Sequence, residues 1–168
     1  TYEVTRDLPT APVEVVTPLE TMTGETLAAK VALVPILRAG LGMLDGMMRL
    51  LPTAEVGFLG MVRNEETLEA STYAERLPED LSGRQCYVLD PMLAPGGSAP
   101  AAIAQLKETG AERSQPISLV AAPAGVERMA ADHPDVGVFV AALDRQLNDH
   151  GYILPGLGDA GDRLFGTE

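Results

Sequence analysis

Tryptophan is absent from the sequence, cysteine occurs once and histidine twice. The lone Cys86 rules out a disulfide within the chain, and its place in an apolar run predicts a buried, inert thiol. His133 and His150 are too few and too far apart for a convincing metal site. Positive charge is also scarce: 12 Lys and Arg stand against 24 Asp and Glu, giving a net charge of −12. Such a balance argues against nucleic acid and against anionic membrane as partners. No apolar run approaches the ~20 residues that span a bilayer, and no secretory leader is seen, so the expectation is a cytoplasmic protein. A Gly-Lys-Ser/Thr string is missing, which excludes a P-loop nucleotidase, and so is a G-x-S-x-G elbow.

What is present is a moderately apolar chain of 168 residues, 46% hydrophobic and 21% charged, with 17 Gly and 13 Pro. That length predicts one domain over residues 1–168. Val31–Ile36 is a continuous apolar run, the mark of a strand buried on both faces of a parallel sheet. Glu55–Val62, Tyr87–Leu89, Ile117–Ala122 and Val136–Leu143 also read as strands. Between them, Leu41–Leu51, Ala101–Thr109 and Pro123–Asp132 read as helices, the last with Pro in its first turn and an apolar face of Val126, Met129 and Ala130. Strands alternating with helices predict an α/β fold, a parallel β-sheet with helices on both faces. Met43, Leu44, Met47, Met48 and Leu51 recur at helical spacing, a stripe fit for core or subunit interface. In Thr1–Thr23 the valines at 13, 15 and 16 predict a strand that Pro9, Pro12 and Pro18 confine to an edge or loop, with Gly24 turning the chain. Asn64 to Gly83 is polar, and Glu65, Glu66 and Glu69 read as a solvated loop.

The chain is organised around Gln85–Gly110, QCYVLDPMLAPGGSAPAAIAQLKETG. An apolar strand ends on Asp90, and Pro91 stops it. A small, Gly-rich loop follows, Ser98 stands where an N-cap belongs, and Gly110 suits the C′ position of the helix. Glycines let a backbone approach a ligand, and a helix start presents unpaired N–H groups with partial positive charge. The stretch is therefore either an anion cradle, built on the amides of Ala94, Gly96, Gly97 and Ser98, or an ordinary strand-to-helix turn. Arg38, the single charge at the carboxyl end of the first buried strand, is placed either to grip an anion or to sit in a surface turn. Gly156–Gly161 is formally G-x-G-x-x-G, but too few residues follow for a dinucleotide-binding crossover, so the oxidoreductase reading is set aside.

An acid closing an apolar strand, followed by a loop ending in Gly-Gly-Ser, resembles the phosphoribosyl-pyrophosphate loop of type I phosphoribosyltransferases. DPMLAPGGS, together with VPILRAGLGM (Val34–Met43), MVRNEET (Met61–Thr67), LVAAPAG (Leu119–Gly125) and HGYILPGLGDAGDRLFGT (His150–Thr167), resembles the uracil phosphoribosyltransferase family in particular. The resemblance implies a type I phosphoribosyltransferase fold that transfers a phosphoribosyl group from 5-phosphoribosyl-1-pyrophosphate to uracil. It also implies Mg²⁺ carried mainly by the substrate, a homodimer or higher homo-oligomer, and a helical segment before Thr1. By the same resemblance, Arg38, Arg63, Asp90, Asp159 and the loop Pro91, Met92, Leu93, Ala94, Pro95, Gly96, Gly97, Ser98 hold the sugar pyrophosphate. Arg38, Arg63, Asp90 and Asp159 would carry the catalytic work, and Ile153, Gly158, Asp159 and Ala160 would read uracil with backbone groups. Residues 64–83 would form a cover or a hairpin arm around a second subunit. One residue departs from the pattern: the family usually has Thr where this chain has Pro95, which removes a hydroxyl and an N–H from the cradle. The alternative function is a non-catalytic phosphoribosyl-pyrophosphate-binding regulator impaired by Pro95.

Overall fold

The structure, a computed structural model, describes residues 1–63 and 70–167, without the side chains of Arg63 and Ala70. The polar run Asn64–Glu69, including Glu65 and Glu66, lies outside the described residues.

A short helix α1 (Tyr2–Thr5) leads into an antiparallel hairpin of β1 (Thr10–Val16) and β2 (Thr21–Leu27), a separate two-stranded sheet. Gly24 does not turn the chain, as its sequence context implied; it lies inside β2 opposite Val13. The turn is at Thr17–Glu20, closed by the Thr17 hydroxyl, which accepts from the amides of Leu19 and Glu20 at 3.2 and 3.1 Å. Pro12 is accommodated because a two-strand ribbon leaves outer edges free.

The main sheet follows. Its elements are β3 (Val31–Leu37), α2 (Leu41–Leu50), β4 (Glu55–Val56), β5 (Phe58–Arg63), β6 (Ala70–Arg76), β7 (Gln85–Leu89), β8 (Met92–Leu93), α3 (Ser98–Glu108), β9 (Arg113–Ala121), α4 (Pro123–Asp132) and β10 (Phe139–Leu143). The order is β10-β9-β7-β3-β5-β6, parallel except where β6 returns antiparallel to β5. A small hairpin of β11 (Gln146–Leu147) and β12 (Ile153–Leu154) and a last helix α5 (Ala160–Phe165) complete the chain.

The apolar runs at the centre are buried on both faces. Val34, Cys86 and Val88 face a core shared with α3 and α4, whereas Leu33, Tyr87 and Leu89 face one shared with α2. Full burial of each such side chain is worth ~1.5–3 kcal/mol. Ala102, Ile103 and Leu106 of α3 are wholly buried, and Met47 and Leu51 fill the α2 side, while Met48 is exposed. In α4, Met129 is buried but Ala130 is exposed, so the apolar face is narrower than the spacing implied.

Three local differences from the sequence expectation bear on the site. β7 stops before Pro91, as expected, but the stop is brief. The chain rejoins the sheet as β8, beside the carboxyl half of β9, and the Pro91 carbonyl accepts from Leu119 and Val120 at 3.0 and 3.1 Å. Ser98 is the first helical residue and Gly97 is the N-cap, at φ +79°. The third is β9, which begins at Arg113 rather than Ile117, because β7 pairs with it from Gln85 onward. Pro116 fits there because β10 joins only from Ile117. At the other end of α3 the expected Gly110 stop is present: Gly110 donates to Lys107 and Ala111 to Leu106, a Schellman ending.

Candidate active site

The carboxyl ends of β3, β5 and β7 open on one side of the sheet, where ligands bind in open α/β folds. Among the described residues, two hollows lined by Asp90 adjoin there. The first, of about 250 Å³, is floored by Asp90–Ala94, with Gly96 and Ser98 on one side and Ile153 and Gly158–Gly161 on the other. The second, of about 380 Å³, is lined by Arg38, Asp90, Ser98 and Asp159, together with Met61, Val62 and Tyr73. Asp90, Ser98, Asp159 and Gly161 belong to both.

The break between β7 and β8 sets the floor. Asp90 stays tied to the sheet, its amide donating to Ile117 at 3.2 Å, while its carboxylate accepts from the Met92 amide at 3.3 Å. Burial pushes this carboxyl up to about 6, and the Met92 hydrogen bond pulls only partly against it. Among the described residues, the amides of Ala94, Gly96, Gly97 and Ser98 have no backbone acceptor, so they remain available to an anion. Pro95 and Gly97 are the two loop positions that do not line the first hollow. The first turn of α3 also contains Pro100, so two prolines thin the donors of this cradle.

Arg38 follows β3 in a tight turn to α2. Its guanidinium donates to Asp162 and to the hydroxyl of Thr167, each at 2.9 Å. Gly40 in that turn is required by close approach, since a Cβ there would stand 2.2 Å from the Leu89 carbonyl oxygen. Arg63 closes β5 on the same side of the sheet, and its side chain lies outside the description.

The far wall comes from the end of the chain. Ile153 in β12 is buried, and beyond it Gly156 has φ +57° with space for no Cβ, which would meet the Ile153 oxygen at 2.0 Å. Asp144, after β10, accepts from the Gly156 amide at 2.9 Å and so fixes the approach of this loop. Asp159, which lines both hollows, caps α5, its Oδ1 accepting from the Asp162 amide at 2.9 Å.

The structure therefore brings together Arg38, Asp90, most of the loop to Ser98, Ile153 and Gly158–Ala160. Sequence reasoning did not single out Ala39, Tyr73, Tyr152, Asp162 and Thr167, which line the hollows or hold their walls. Asp162 could have been found: an acid three residues after an N-cap acid opens a helix. Tyr73 carried no signal, because nothing in a polar run shows that β6 folds back on β5. Among the described residues no group of three His, Cys, Asp or Glu is arranged to hold a metal ion. No described helix is long and apolar enough to cross a membrane.

Comparison with known proteins gives the family and the fold. The family model for uracil phosphoribosyltransferase matches residues 1–167. A uracil phosphoribosyltransferase from a Nocardioides species is 65% identical over 170 residues, covering 98% of this chain and 80% of that protein. One from Streptomyces avermitilis is 62% identical over 169 residues, covering 99% and 80%. A solved protein structure from Aquifex aeolicus, 43% identical, superposes with a TM-score of 0.91 over 98% of this chain and 79% of that one. A purine phosphoribosyltransferase from Pyrococcus horikoshii, 15% identical, shares the fold with a TM-score of 0.52 over 67% of this chain and 69% of that one.

Proposed function

Because the chain belongs to the uracil phosphoribosyltransferase family, we propose that its two hollows bind uracil and 5-phosphoribosyl-1-pyrophosphate side by side and convert them to UMP and pyrophosphate. The observation that carries the assignment of roles is the sharing of Asp90, Ser98 and Asp159 between the hollows. A substrate with a phosphate at one end and a pyrophosphate at the other needs such a continuous site.

In this reading the free amides of the 94–98 loop and the Ser98 hydroxyl hold the 5′-phosphate. Asp90 accepts from the ribose hydroxyls. Arg38 and Arg63 grip the pyrophosphate, Arg38 with the N–H groups that Asp162 and Thr167 leave free. Backbone groups of Ile153 and Gly158–Ala160 read the edge of the base. A uracil nitrogen then displaces pyrophosphate at the anomeric carbon through a transition state of oxocarbenium character, its proton passing to the departing pyrophosphate or to water. No protein nucleophile is needed: the chain aligns two substrates and stabilises the departing negative charge.

Mg²⁺ fits this site as a substrate-borne ion. It is commonly held by one or two carboxylates together with substrate phosphates, and among the described residues Asp90 and Asp159 are the acids that line the hollows. When bound, it would neutralise charge on the pyrophosphate. A substrate with three phosphates is excluded by lipid, which supports work in the cytoplasm. Apolar side chains left open on the β1–β2 hairpin, Val15, Val16 and Met22 among them, support a homodimer.

The test is turnover of radiolabelled uracil with 5-phosphoribosyl-1-pyrophosphate and Mg²⁺, in the wild type and in Arg38→Ala. UMP should form, and the variant should lose at least about a hundredfold in kcat/KM while still binding uracil. Absence of UMP would leave a binding protein rather than an enzyme; an unimpaired variant would remove Arg38 from the site.

A further inference from the structure

Arg38 is restrained by residues far away in the sequence. Its Nη2 donates to Asp162 Oδ1 and its Nη1 to Thr167 Oγ1, both at 2.9 Å, and the Thr167 hydroxyl donates to the same Asp162 oxygen at 2.6 Å. The three groups close a ring. A guanidinium has five N–H donors, so the ring leaves three of them for a ligand.

Asp162 is itself fixed from two directions. Its amide donates to Asp159 Oδ1 at 2.9 Å, and its carbonyl accepts from Gly166 and Thr167 at 2.8 and 3.2 Å. These hydrogen bonds bring Thr167 back beneath the guanidinium. The first turn of α5 lies close to the same group: a Cβ on Gly161 would stand 3.8 Å from Arg38 Nη2 and 3.3 Å from Asp159 Oδ1. An unbroken path of hydrogen bonds therefore runs from Asp159, beside the backbone that faces the base, through Asp162 to Arg38.

The Arg38 side chain is half exposed, with 51% of its surface open. An arginine so open has many rotamers, and a two-pronged grip on pyrophosphate needs one of them. Asp162 does not aid binding through its own charge, because a carboxylate repels a polyanion. Its contribution has to be geometric.

We propose that Asp162 and Thr167 are positioning residues that hold the Arg38 guanidinium in the orientation that receives the leaving pyrophosphate, and that they link this orientation to the base-facing loop. The proposal rests on the reading of Arg38 as the pyrophosphate ligand.

The experiment is a double-mutant cycle in the full chain, measuring kcat and both KM values for Asp162→Asn, Thr167→Val and Thr167→Ser, each with and without Arg38→Ala. Asp162→Asn should lower kcat by about tenfold to a hundredfold, the scale of a misplaced catalytic group, with uracil KM within about twofold of wild type. Thr167→Val should act in the same direction, and Thr167→Ser, which keeps the hydroxyl, should restore most of the rate. In the Arg38→Ala background both losses should shrink to less than about twofold, because groups that act through one residue are not additive. Full additivity in that background overturns the proposal, and so does a uracil KM that rises as far as kcat falls, since either outcome makes Asp162 a helix-stabilising residue only. If Asp162→Asn folds poorly, the two Thr167 variants carry the same comparison. If Arg38→Ala itself leaves kcat/KM unchanged, the assignment of Arg38 to pyrophosphate fails as well, which distinguishes the two failures.

Discussion

Replacing Asp90 with Asn separates what this residue does to the fold from what it does for the substrate. Burial raises the carboxyl from an ordinary 3.8 to about 6. Between about pH 4 and pH 6 the folded chain keeps a proton that the unfolded chain has released, so the contribution of this group to stability falls as pH rises through that window. At ~1.4 kcal/mol per pH unit, the displacement sets a ceiling of about 3 kcal/mol above pH 6. Asp90 is only partly buried by surface area, so solvent screening lowers the figure to about 1–2 kcal/mol. Asn keeps an oxygen for the Met92 amide and carries no charge. Urea titration should therefore find Asp90→Asn more stable than wild type by about 1–2 kcal/mol at about pH 8, with the difference vanishing near pH 4. On the proposed role of Asp90, the same variant should lose about tenfold or more in kcat/KM for 5-phosphoribosyl-1-pyrophosphate, because the ribose hydroxyls would lose a charged acceptor worth ~1.5–3 kcal/mol. The reasoning is refuted by a variant no more stable than wild type at about pH 8, by an advantage that persists unchanged at about pH 4, or by full activity.

Three further outcomes are expected. Pro95→Thr returns a hydroxyl and an amide to the cradle, so KM for 5-phosphoribosyl-1-pyrophosphate should drop by about tenfold to a hundredfold; steady-state kinetics with an unchanged KM would show that the amides already present suffice. Gly156→Ala places a methyl against the Ile153 oxygen at a positive φ. It should cost about 2 kcal/mol or more and raise uracil KM, and a melting temperature within about 1 °C of wild type would contradict the geometry. Burial pushes the Cys86 thiol up to about 11, so it should resist iodoacetamide at about pH 8 in the folded protein and react once urea is added; rapid labelling of the native chain would show that the sheet opens readily.

The parallel core was legible because its strands are buried on both faces. Val31–Ile36 and Tyr87–Leu89 are apolar without interruption, and only a strand covered on two sides tolerates that. The helices were legible where Pro123, Gly110 and the Ala102, Ile103, Leu106 spacing mark them. The turn at Thr17 was not, because a side-chain hydroxyl rather than a glycine closes it. No period shows α5, a helix too short for one and held by contacts with Arg38 far earlier in the chain; only the spacing of Asp159 and Asp162 marks its start. The loop to Ser98 and the acid before it were readable as a possible anion site from residue chemistry. Their union with Ile153 and Gly158–Ala160 is a matter of topology, and there the family strings, not local propensity, held the information.

The interruption between β7 and β8 has a mechanical consequence. Its amides and carbonyls are bonded into the sheet on both sides of Asp90, so this carboxylate stands on backbone that should exchange its hydrogens slowly. The opposite wall is assembled from a two-residue ladder, one cap and a six-residue helix. A ligand entering between them meets a stationary base and a compliant side. On the proposed reading, whatever adjustment accompanies catalysis falls to the wall assigned to the nucleobase, while the sugar stays where the sheet puts it.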